Sequence, residues 1–152
     1  MRTLARIAAL VVISLASIPL CASSGDNNLP DPDAIAALEA RANQAQPREQ
    51  CFLYAQLVHQ MTELSIRQYA AGDIAKATNL LKRVQSITQK IHLSVSENDK
   101  RLKNAEILLS HSAFRLSEMV HATSLEDRPL VEETLAQVTQ AKDAALMRVL
   151  QK

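Results

Sequence analysis

From residue 32 to residue 150, apolar side chains return every three or four positions, the spacing that draws one stripe along a helix. The first stretch is short. Asp31 is a candidate N-cap and Pro32 fits the first helical position, where its missing N–H costs nothing. Ile35, Leu38, Ala42 and Ala45 follow, and because two of these four are alanines the stripe predicts a short helix over about 32–45 that docks weakly. Pro47 interrupts the pattern and suits the first turn of the next helix. Leu53, Leu57, Met61, Leu64 and Gln68 then form one line with Tyr54, Val58 and Ser65 beside it, up to Gly72, where a left-handed residue can end the helix.

Asp73 is expected to cap a second long helix carrying Ala77, Leu81, Val84, Thr88 and Ile91, flanked by Ile74, Leu80 and Ile87. Leu93 to Ser96 break that run, and Ser94 with Glu97, or Ser96 with Asp99, has capping-box spacing or close to it. Leu102, Ala105, Leu109, Ala113, Leu116 and Val120 make a bundle seam on the third helix. A loop over Thr123 to Arg128 leads to Pro129 and a fourth helix, whose stripe is Val131, Leu135, Val138, Ala141, Ala145 and Val149. No β-branched alternating stretch competes with these assignments. The fold class is therefore all-α, an antiparallel bundle of four long helices with a short leading helix. Connections at 72–73, 93–96 and 123–128 are short enough to make consecutive helices antiparallel neighbours.

Composition changes this picture mainly at the N-terminus. Arg2 and Arg6 precede a 14-residue apolar run from Ile7 to Leu20, followed by the small residues Cys21, Ala22, Ser23 and Ser24, the layout of a secretory signal peptide. The run is too short to span a bilayer. The expected organisation is a signal peptide at 1–22, a flexible leader at 23–31, the short helix at 32–46 and the bundle at 47–152. Cys21 after the apolar run resembles a bacterial lipoprotein box, but Leu20 stands where that box has a small residue, so a lipid anchor at Cys21 is disfavoured. Export places the mature chain in the periplasm or outside the cell, with envelope association as a variant of that reading and no integral span. Loss of residues 1–22 takes Lys+Arg from 17 to 15 against 16 Asp+Glu, so no net charge draws the mature protein to polyanions.

Candidate chemistry is sparse. The mature chain keeps one cysteine, Cys51, which is either buried in a helix interface or available for an intermolecular disulfide. His59, His92, His111 and His121 form no complete metal-ligand motif, Glu118 with His121 is the single glutamate–histidine pair three residues apart where a di-iron bundle requires two, and two glycines cannot build a phosphate cradle. Neither a metal nor another cofactor is expected. One surface is notable for charge: Lys82, Arg83 and Lys90 late in the second long helix and Lys100, Arg101 and Lys103 at the start of the third would share one end of an antiparallel bundle. Glu97 and Asp99 dilute it and few aromatics interleave, so nucleic acid is not an expected partner.

Residues 58–91, and above all Tyr69-Ala70-Ala71-Gly72-Asp73-Ile74-Ala75-Lys76-Ala77 with Leu64, Leu81 and Val84, resemble a single tetratricopeptide-type helical hairpin. The resemblance covers 34 of the 152 residues and departs from the family at Ser65 and Gln89. It implies close packing of two helices about the Gly-Asp turn and, where copies repeat, a peptide-binding surface. These features point to a non-enzymatic protein-interaction or structural module, with a protein partner or homo-oligomer. The alternatives are an apolar-ligand-binding bundle and an enzyme with a dispersed site. A pocket among facing helices would favour the ligand, whereas an exposed Tyr, Phe or Met patch would favour a protein.

Overall fold

A computed structural model describes residues 30–94 and 101–151. The expected signal segment, the Cys21 site, nearly all of the leader, and the cap positions Ser96, Glu97 and Asp99 lie outside the described residues. Five helices make up the described chain: α1 (Pro32–Gln44), α2 (Pro47–Ala70), α3 (Ile74–Ser94), α4 (Leu102–Ala122) and α5 (Arg128–Leu150). They form an all-α antiparallel bundle of four long helices with α1 as the short addition.

Local chemistry accounts for most of the boundaries. The Asp31 carboxylate accepts the Asp33 N–H at 3.4 Å, and prolines occupy the first turns of α1, α2 and α5. At the end of α2, Asp73 N–H donates to the Gln68 carbonyl at 2.8 Å and Gly72 N–H to that of Tyr69 at 3.0 Å, the paired bonds of a Schellman motif. Gly72 sits at φ +85°, a conformation that costs a side-chain-bearing residue a Cβ clash with its own backbone. The α3 helix continues through Leu93 and Ser94 instead of breaking there. Ser94 Oγ turns back to the Ile91 carbonyl at 3.1 Å.

The four long helices pack as two hairpins, α2 with α3 and α4 with α5. Side chains facing each other across α2 and α4 rise together along the chain: Phe52 with Arg101, His59 with His111, Glu63 with Arg115, Tyr69 with Ser124. The two helices are therefore parallel. Gln85 of α3 meets Thr134 of α5 in the same sense. Stacking the hairpins this way puts α3 diagonally across from α4, without contact between them. Here the expectation that all consecutive helices are neighbours fails at the second connection, because a short link can cross the end of a bundle as readily as join adjacent helices.

The core follows the expected stripes with instructive exceptions. Leu53, Leu57, Val58, Met61 and Leu64 of α2, Leu81, Val84, Ile87 and Ile91 of α3, and Leu102, Leu109 and Leu116 of α4 are buried. On α4, Ser112 and Met119 are buried while the expected Ala113 and Val120 are only half-buried; on α5, Thr134 is buried and Leu135 is not. Both hydroxyls are satisfied within their own helix, Ser112 Oγ by the Leu108 carbonyl at 2.8 Å and Thr134 Oγ1 by that of Leu130 at 2.7 Å, which lets polar residues enter the core. The short α1 is more firmly attached than its stripe suggests. Ile35, Leu38 and Ala42 join the same core as the long helices, Arg83 of α3 pairs with Glu39 at 2.6 Å, and Arg67 of α2 donates to the Pro30 carbonyl at 3.0 Å.

Candidate functional site

Because α2 touches α1, α3 and α4, nearly every turn of it faces protein, and its polar residues are held at seams. The most elaborate seam is the one with α4. His59 and Glu63 are one turn apart, as are His111 and Arg115, so the parallel helices set like against like at one level and opposite charges at the next. The two imidazoles meet edge to face with centroids 5.7 Å apart. Arg115 Nε donates to Glu63 at 2.9 Å, and its Nη1 donates to Glu118 at 2.5 Å. These charge-assisted bonds to two carboxylates hold the guanidinium pKa above its ordinary value. Half-buried His59 is pushed the other way: desolvation lowers its pKa, with His111 and Arg115 adding to the effect and Glu63 opposing it.

At the far end of this seam, Tyr69 bolts the last turn of α2 to the α4–α5 loop. Its hydroxyl accepts the Ser124 N–H at 2.8 Å and donates to Asp127 Oδ2 at 3.2 Å. Ser124 and Asp127 are also bound to each other, with Ser124 Oγ donating to the carboxylate at 2.8 Å. All these features are pairing devices between helices. Among the described residues no group of three or more His, Cys, Asp or Glu side chains is arranged to hold a metal ion.

Cys51 is fully buried in the first turns of α2, at 0% exposure, within the common core. Three of the basic residues have partners on other helices. Arg83 is drawn to Glu39, Lys90 reaches Asn43 of α1 and lies over the Tyr54 ring, and Arg101 stacks 4.8 Å from the Phe52 centroid. Lys82 and Lys103 are exposed on α3 and α4, which lie diagonally across the bundle. Lys100 lies outside the described residues. Near Arg101 a groove of about 410 Å³ opens among the ends of α1, α2 and α4, with Arg41 and Glu49 on its rim. A second groove, of about 420 Å³, runs between α1 and Gln56 and Gln60 of α2.

Missing from the sequence reading is an apolar face on the second hairpin. Ile107 and Phe114, seven residues apart and so on one side of α4, are 51% and 59% exposed. Antiparallel packing places the last turns of α5 beside the first turns of α4, and on those turns Met147 and Leu150 are 57% and 71% exposed. The signal was available, since Ile107 and Phe114 fall outside the α4 seam, but their periodicity was masked by the stronger stripe behind them. Comparison with protein-family models, curated proteins and solved structures gives no match for this chain.

Proposed function

We propose that the protein is an exported, non-enzymatic helical module that works by binding another protein surface. The observation that carries this reading is the pair of large apolar residues exposed on one side of α4, Ile107 and Phe114, with Met147 and Leu150 exposed on the neighbouring α5. Large apolar side chains exposed on one side of a helix mark interaction sites. The apolar-ligand reading draws less support, because the two grooves described above lie at the margins of α1 and are lined in part by arginine and glutamine side chains. Stacking of α4–α5 in parallel on α2–α3 supports an interaction scaffold built from helical hairpins, in keeping with the tetratricopeptide-type turn at Gly72-Asp73. Export rests on Arg2, Arg6 and the apolar run that follows.

Cross-linking in intact cells followed by recovery from periplasmic and membrane fractions tests both parts. The expected result is a chain lacking residues 1 to about 22, cross-linked into a larger species that Phe114→Glu abolishes. Mature protein retaining Met1 would overturn processing. A cross-linking pattern unchanged by Phe114→Glu would overturn the assignment of the face.

A further inference from the structure

The outer side of α4 displays Lys103, Ile107, Phe114 and Glu118 in sequence, all exposed and separated by 4, 7 and 4 residues. This order reads as its own complement when reversed. A two-fold axis crossing α4 between residues 110 and 111 would set Ile107 of one copy against Phe114 of the other, and Lys103 against Glu118, twice each. The ends of the stripe carry opposite charge and its two large apolar residues lie equally far from the centre, so both the apolar and the ionic pairings close with one register. Isologous contacts require this self-complementarity of a single patch.

Resting on the interaction-module reading above, we infer that the partner for this face is a second copy of the same chain, docked with its α4 antiparallel to the first. Each Glu118 already accepts from Arg115 of its own helix and is about half exposed, so the incoming Lys103 extends that ion pair into a network without desolvating a lone carboxylate. The last turns of α5, on which Leu146, Met147 and Leu150 are exposed, lie beside the first turns of α4. A helix of 21 residues is about 30 Å long. With α5 alongside, the face covers on the order of 600 Å² per copy, at the lower edge of specific interfaces, which predicts a reversible dimer in the micromolar range.

Sedimentation of the processed full-length protein over a concentration series tests the inference. The wild type is expected to pass from monomer to dimer, and Phe114→Glu to weaken the dimer at least about tenfold with helicity unchanged. Lys103→Glu and Glu118→Lys should each weaken it about three- to tenfold by placing like charges opposite one another, and the double variant should recover to within about threefold of wild type. A monomer at the highest concentration, or a double variant no better than its parents, overturns self-pairing. If cross-linking in cells then still yields a Phe114-dependent species of different mass, the interaction-module reading stands without self-pairing; if it yields none, both fall.

Discussion

The two hairpins of the bundle share a plan and differ in what covers them. The first, α2–α3, is clad on one side by α1 and on another by the second hairpin, and α2 buries ten residues along its 24. The second, α4–α5, has a neighbour on one side, and α4 leaves Ile107 and Phe114 in solvent. Sequence periodicity is similar in the two; exposure is not. A large apolar residue on the outer side of α2 would meet α1, whereas on α4 it meets water, and it is this asymmetry that puts the proposed interaction surface on the second hairpin.

Stripping the cover from the first hairpin should make the two alike. A chain shortened to residues 48–152 loses the burial of Ile35 and Leu38 and hydrates Gln56 and Gln60, at a cost of about 3–6 kcal/mol from the two large side chains. It is expected to retain high helicity and a cooperative thermal transition at lower temperature; loss of the transition would mean that α1 is required for folding. On the second hairpin, Leu109→Ala should cost about 2–5 kcal/mol in a denaturant titration, since the side chain is fully buried. Phe114→Ala in the same experiment is expected to change stability by no more than about 0.5 kcal/mol. Equal losses at the two positions would erase the distinction between the inner and outer sides of α4.

Turn chemistry separates the hairpins next. Gly72→Ala meets no neighbouring atom within 4 Å, so its cost is backbone strain alone, about 1–2 kcal/mol, read from the same titration. The smallest effect belongs to the seam between the hairpins. His59 has a folded pKa below its unfolded value, so as pH falls through the ordinary imidazole range the unfolded chain takes up the proton first and stability declines. Above that range the contribution vanishes. His59→Gln should flatten the fall in melting temperature on going from neutral to mildly acidic pH, and an unchanged slope would assign it to other groups.

Helix positions were legible because proline at the first turn, glycine at the last and a 3.6-residue period are local signals. Pro47, Gly72 and Pro129 mark their boundaries without reference to the rest of the chain. The packing partners were less so. A stripe such as Leu102, Ala105 and Leu109 says that one side is covered, not by which helix, and the diagonal relation of α3 to α4 follows only from the fit of whole surfaces. Ser112 and Thr134 were hidden for another reason: a hydroxyl bonded to the carbonyl four residues back behaves in the core as a small apolar group, yet is written as a polar letter. The His59–His111 contact joins residues 52 apart and leaves no trace in either helix alone.

Parallel stacking of the hairpins also sets a timetable. Every level of the α2–α4 seam joins residues about 50 apart, from Phe52 with Arg101 to Tyr69 with Ser124. During synthesis at roughly 5–20 residues per second, each level of α2 waits about 3 to 10 s for its partner to be made. Over that interval α3 is the only long helix available to it, and the side of α2 destined for α4 is open to any holding factor that binds nascent chains.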